Sequence, residues 1–171
     1  GQVDVLNGEF VFEFIVPKDI SYQYGRGKIS YYAFDSIVGE ASGADKDILI
    51  GGVNENAFVD LDGPEIQLFI DDTNFVSGGY TNSNPNLLAL LFDRSGINTI
   101  GLGIGHNIIA TLDGDQDMQY ILNDYYESDL NSFQSGTVRY PFSNLSDGAH
   151  VLNFKAWDVH NNSNNIDINF F

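Results

Sequence analysis

Apolar and polar residues alternate along most of this chain, and that period of two, with no sustained helical period, sets the first expectation. In Phe10-Val-Phe-Glu-Phe-Ile-Val16 the residues Phe10, Phe12, Phe14 and Val16 fall on one side of an extended strand. Asn7-Gly8 just upstream is the pair a two-residue hairpin turn favours, so residues 3–6 are expected to fold back on that strand. Pro17 ends it, because proline cannot donate to a central ladder. Tyr24-Gly-Arg-Gly27 reads as a turn into a strand over 28–34. Residues 39–46 read as a polar loop, 47–50 as a short strand, and the Gly-, Asn- and Asp-rich residues 51–62 as a connector.

Beyond that connector Ile66, Leu68 and Ile70 alternate with Gln67 and Phe69. Residues 71–86 form a long turn region containing Gly78-Gly79 and Asn84-Pro85. The six apolar residues 87–92 fit a strand buried on both faces better than a helix. Short strands are expected over 108–112, 119–122 and 137–140, and a clearer one over 151–157, where Leu152, Phe154 and Ala156 share a face. Trp157 lies opposite that face by parity, which makes it the candidate anchor for a domain interface. Ile166, Ile168 and Phe170 close the chain as a last alternating strand, and residues 125–133 allow one short helix at most. Many short strands between frequent turns predict an all-β, antiparallel β-sandwich over 61–171. Residues 1–60 are expected to be an N-terminal β segment packed against or preceding it, part of a preceding β domain. Leu68, Leu90, Leu152, Phe154 and Ile168 are the expected core.

Composition agrees, with 13 Phe, nine Tyr and one Trp against a single Met in 171 residues. Seven basic and 24 acidic residues give a net charge of −17. Residues 1–60 carry 4 basic and 10 acidic side chains and the remainder 3 and 14, so neither part offers the basic footprint nucleic acid requires. An anionic membrane would repel both. Partners are expected to be cationic, calcium-like or apolar. There is no cysteine, which excludes disulfides, thiolate metal sites and a cysteine nucleophile within this chain. No signal peptide, lipidation motif or apolar run of membrane-spanning length is present. A chain opening on Gly1 is expected to be a fragment of a longer, exported polypeptide.

The acidic loops hold the candidate chemistry. Asp113, Asp115 and Asp117 alternate as a hard cation prefers, with Asp124 eleven residues after Asp113. An EF-hand is excluded, since Met118 stands where its glycine belongs and the last ligand is Asp. A weaker calcium site at Asp113, Asp115 and Asp117 stands beside the plainer reading of turn-capping carboxylates. Asp71 and Asp72 with Asp93 form a second such group. His106 has no serine, cysteine or second histidine placed to complete a nucleophilic pair, and three scattered histidines do not make a zinc set. Gly101-Leu-Gly-Ile-Gly105 lacks the lysine and helix context of a phosphate loop. Tyr22, Tyr24, Tyr31, Tyr32, Tyr80, Tyr125 and Tyr126 serve either packing or a sugar-stacking platform, so an independent carbohydrate-binding or adhesion module is the alternative function.

One ordered set of motifs goes further. It comprises Phe12-Glu-Phe-Ile-Val-Pro-Lys-Asp-Ile-Ser21, Tyr24-Gly-Arg-Gly-Lys-Ile-Ser-Tyr-Tyr-Ala33, Gly63-Pro-Glu-Ile-Gln-Leu-Phe-Ile-Asp-Asp72, Asp93-Arg-Ser-Gly-Ile-Asn98, Gly103-Ile-Gly-His-Asn107, Leu122-Asn-Asp-Tyr-Tyr126 and Gly136-Thr-Val-Arg-Tyr-Pro141. It ends in Gly148-Ala-His-Val-Leu-Asn-Phe-Lys-Ala-Trp-Asp158. Together these resemble the region behind the peptidase domain in gingipain-like cysteine peptidases of Bacteroidetes, the type IX secretion sortases among them. The resemblance implies an immunoglobulin-like fold and a location outside the cell, at the outer-membrane surface. It also implies two partners, the upstream peptidase domain of the same parent and secreted client proteins. The family's catalytic Cys–His pair lies upstream and maps onto no position here, so this chain is expected to be non-catalytic.

Overall fold

A computed structural model describes residues 1–18, 20, 23–100 and 105–171. Among the described residues there is no α-helix, only single 3-10 turns at Gln116–Met118 and Asn123–Tyr125. The chain divides into a smaller unit, Val5–Phe10 with Ile20–Val59, and a larger one, Gly1–Asp4, Val11–Asp19 and Asp60–Phe171.

The smaller unit is built on one long hairpin of β1 (Gly25–Arg26), β2 (Ile29–Asp35), β3 (Gly39–Asp45) and β4 (Leu49–Ile50). β2 pairs with β3 from Ile29 opposite Asp45 to Asp35 opposite Gly39, and β1 pairs with β4. Between the two ladders residues 46–48 face only Gly27 and Lys28, so the register slips by one residue in a bulge closed by Gly27 N–H to Ile48 O at 2.8 Å. At the tip the Asp35 carboxylate accepts N–H bonds from Ile37 (2.7 Å) and Val38 (2.8 Å), which hold its carboxyl below the usual carboxylate range. Residues 39–46, expected as a loop, thus contain strand β3. The sequence gives no sign of it because all seven β3 residues are exposed, so backbone pairing to β2 needs no apolar alternation.

Asn7-Gly8 makes the expected tight turn, with φ of 54° and 85° and two bonds exchanged between Leu6 and Glu9 at 2.9 and 3.0 Å. The period of two over 10–16 is intact, but the expected strand does not form there among the described residues, and Phe12, Phe14 and Val16 are 38%, 52% and 44% exposed.

The larger unit contains β5 (Glu65–Ile70), β6 (Asn86–Phe92), β7 (Ile109–Leu112), β8 (Gln119–Ile121), β9 (Tyr126–Ser128), β10 (Ser135–Pro141), β11 (His150–Trp157) and β12 (Ser163–Phe170). They form two four-stranded antiparallel sheets, β5-β6-β10-β9 and β12-β11-β7-β8. The first, second, fifth and sixth strands of this unit make one sheet and the others the second, the strand partition of an immunoglobulin-like sandwich.

The sandwich core follows the alternation. On β11, His150, Leu152, Phe154 and Ala156 are buried, while Val151, Asn153, Lys155 and Trp157 face the other way. They pack with Ile168 and Phe170 of β12, Ala110 and Leu112 of β7, and the inward residues Leu68, Ile70, Leu87, Ala89, Leu91 and Val138. The central strand β6 is covered on both faces, but not as expected: Leu90 is only half-buried, and Leu91 takes its place in the core. Leu87, Ala89 and Leu91 point inward by parity. On the outer face Leu88, flanked by Phe69 and Arg139, is more covered than Leu90, flanked by the shorter Gln67 and Thr137. On the last alternating strand Ile168 and Phe170 are buried and Ile166 is exposed. The helix allowed over 125–133 is absent, because Tyr126–Ser128 pair with β10 instead.

At one rim Tyr120, Tyr125, Tyr140 and Phe142 meet at 4.8–5.3 Å, three of their four contacts edge-on, a geometry that favours aromatic pairs. Phe154→Ala should lower the unfolding free energy by about 3–5 kcal/mol in chemical denaturation, since the ring is fully buried. Val151→Ala on the same strand, 43% exposed, should cost under about 1 kcal/mol.

Candidate functional site

The acidic loops fold locally, and their carboxylates turn toward backbone donors. Asp113 stands in the left-handed region (φ 53°), its Oδ1 accepting Val151 N–H at 2.9 Å and its Oδ2 lying 2.8 Å from His150 Nδ1. Asp115 accepts Asp117 N–H at 2.9 Å and caps the first 3-10 turn, while Asp117 and Asp124 are exposed. Asp113, Asp115 and Asp117 are not brought around one point, since no set of their oxygens converges within 4.8 Å. Asp71 (φ 63°) accepts Asn86 N–H at 2.9 Å and the Thr81 hydroxyl at 2.5 Å, and Asp72 accepts Asn74 N–H at 2.7 Å. Asp93 instead accepts from Ser95 N–H (2.7 Å), Ser95 Oγ (2.6 Å) and Gly96 N–H (3.2 Å). Asp72, Asp93 and Asp115 thus order local turns, while Asp71 and Asp113 tie loops to the strands that hold Asn86 and Val151.

Among the described residues one trio does converge, and sequence spacing did not single it out: Asp60, Asp158 and His160. Asp158 is fully buried, its Oδ1 accepting His160 N–H (2.9 Å) and Asn162 N–H (2.7 Å), its Oδ2 accepting Asn162 Nδ2 (2.7 Å). Asn162 Nδ2 also reaches Asp60 O at 3.1 Å, and the Lys18 ammonium donates to His160 O at 3.1 Å. A buried carboxylate surrounded by N–H donors is a fold-holding anion. Burial raises the Asp93 pKa despite its Ser95 bonds, and Asp158 and Asp60 add to the rise. The missed signal was long-range: Asp60 lies about a hundred residues before its neighbours.

Trp157 faces away from the core, as its parity implied. It is half-buried, its ring 4.4 Å from that of His106, with the Lys155 ammonium 4.3 Å from its centroid. Its indole N–H is buried with no acceptor among the described residues. The tyrosines are divided: Tyr24, Tyr31 and Tyr32 lie in the smaller unit, Tyr80, Tyr125 and Tyr126 in the larger. Tyr80 packs on Phe171 at 5.6 Å and Tyr125 edge-on against Tyr140 at 4.8 Å. Tyr126 is half-buried, and burial drives its hydroxyl pKa strongly upward. Tyr22 and residues 101–104 of the glycine run lie outside the described residues.

His150 is the titratable group with the most defined surroundings. Its Nδ1 faces Asp113 Oδ2 and its Nε2 faces Ser146 O, both at 2.8 Å, and its ring lies 5.3 Å from that of Phe170. Both partners are acceptors, so only the doubly protonated ring satisfies both. The Ser146 carbonyl, helped by Asp113, raises the pKa above 6.5, and burial opposes the rise. A histidine raised in the folded state contributes stability that is full below its unfolded pKa and lost as pH rises through the folded one. Unfolding free energy should therefore fall as pH climbs from about 6 through the folded pKa. His150→Gln should remove that slope, and a ring titrating below 6.5 by NMR would contradict it.

No protein-family model matches the chain, and no curated protein matches it. A solved structure does: the crystal structure of dimeric latent PorU from Porphyromonas gingivalis matches 94% of this chain at 36% identity, with a TM-score of 0.64. The chain spans 15% of that PorU chain. The resemblance carried by the motifs is thus met by sequence and fold together, and over nearly its whole length the chain is a relative of one region of PorU.

Proposed function

We propose that this chain is a non-catalytic β-sandwich accessory region of a secreted gingipain-like cysteine peptidase of the type IX secretion sortase kind. In this reading it supports the peptidase domain of its parent, or positions client proteins, at the outer surface of the cell. The observation that carries the proposal is the 36% identity to a part of PorU in a chain that has no cysteine. A cysteine peptidase cannot place its nucleophile here, so the parent's chemistry belongs to another part of it. The described residues agree, since their histidines serve packing and turns. His150 holds Asp113 and Ser146 O, and the His106 ring lies tilted against that of Trp157. No described helix is long and apolar enough to cross a membrane, and the charge of −17 disfavours direct contact with anionic lipid.

The purified chain should show no turnover of peptide, ester or glycoside substrates above the buffer rate. Turnover that is lost on His106→Ala would contradict the proposal, because it would place an active centre within these residues.

A further inference from the structure

The smaller unit carries an edge and a face that its own described residues leave open. Strand β3 pairs with β2 along one side only, and along the other no strand meets its alternate N–H and C=O groups among the described residues. Natural sheets blunt such an edge with proline, lysine, a bulge or a covering segment. β3 has neither proline nor lysine, the bulge at residues 46–48 lies beyond its end, and its central Ala41-Ser-Gly-Ala44 is uncharged. On the adjoining outward face Tyr32 and Phe34 of β2 are each 67% exposed, and at the tip Ile37 and Val38 are 92% and 89% exposed. The tip is a built turn, because Asp35 accepts the N–H groups of both Ile37 and Val38. A two-stranded ribbon alone in water is marginally stable, so an open edge beside exposed aromatics marks a sheet short of a strand.

We propose that β3 is a docking edge for an extended segment of the longer polypeptide that carries this chain, added as a further strand beside Gly39–Asp45. The inference rests on the reading of the chain as part of a PorU-like protein. Three observations select the occupant. An unpaired strand edge needs backbone donors and acceptors in register, which an extended polypeptide supplies and a glycan or lipid does not. The charged residues of β3 are Glu40 and Asp45, so the matching segment carries Lys or Arg opposite them. The same acidity disfavours an anionic membrane, and a net charge of −17 disfavours a second copy. The aligned region is 15% of the PorU chain, which leaves most of such a protein to provide the strand.

Amide hydrogen exchange over residues 39–45 tests this, measured in the 171-residue chain and in its full-length parent. The β3 amides not bonded to β2 should exchange at nearly unprotected rates in the chain alone, and at least about tenfold more slowly in the parent. Ser42→Lys with Ala44→Lys should restore fast exchange there while leaving the β11 amides protected, which keeps a folding defect distinguishable. Equal, fast exchange in both proteins would overturn the proposal. So would protection that grows with concentration of the isolated chain, which would identify a second copy, or that follows addition of anionic phospholipid vesicles. A protected β3 edge in a parent that lacks a peptidase region would overturn the peptidase reading and leave the docking edge standing.

Discussion

The larger unit depends on one contact, the apolar face of β11 against the opposing sheet. Leu152, Phe154 and Ala156 are each fully buried, and β11 is bonded on both sides, to β7 and to β12. An apolar sheet face must be buried against another element, and here a second sheet lies over it. The other features of the sandwich follow from that closure. The long 71–86 segment returns along β12, with Gly78 N–H bonded to Asn169 O at 2.7 Å and Phe171 N–H to Gly79 O at 3.0 Å. Tyr120 and Tyr140 pack against the core and against one another.

A chain this acidic must also keep its carboxylates from opposing the fold. It does so by making many of them acceptors for backbone N–H groups in turns, where a charged acceptor forms a stronger bond than a neutral one. Asp93, Asp115 and Asp158 act in this way, and Asp71 and Asp113 accept the N–H groups of Asn86 in β6 and Val151 in β11. The same arrangement explains why alternating aspartates along the sequence do not converge on a shared point. Their oxygens are directed at neighbouring amides, and the group that does converge is assembled from distant parts of the chain.

The sandwich was legible because its signal is local. Where one face of a strand is buried, as in β5, β11 and the last residues of β12, the alternation appears directly in the residues. β3 was not legible, since a strand exposed on both faces leaves no apolar period. The 10–16 segment failed in the opposite sense: its period is clear, but a period cannot supply a partner strand. The Asp113–His150 pairing and the convergence of Asp60 with Asp158 and His160 join residues far apart in sequence, and no single-sequence pattern encodes such distances. The relationship to PorU was legible for another reason, since an ordered set of turn and strand motifs is a more specific signal than any one of them.

The central proposal is that this chain is the non-catalytic part of a cysteine peptidase. Thiol-directed labelling of the whole polypeptide that carries it, with a peptidase-class electrophile and mass-spectrometric mapping of the adduct, tests that claim most directly. The account predicts a single labelled cysteine outside these 171 residues, in a peptidase region, with the label blocked by a competing peptide substrate. A parent polypeptide that contains no labelled cysteine, or that takes the label without any effect of substrate, would contradict it.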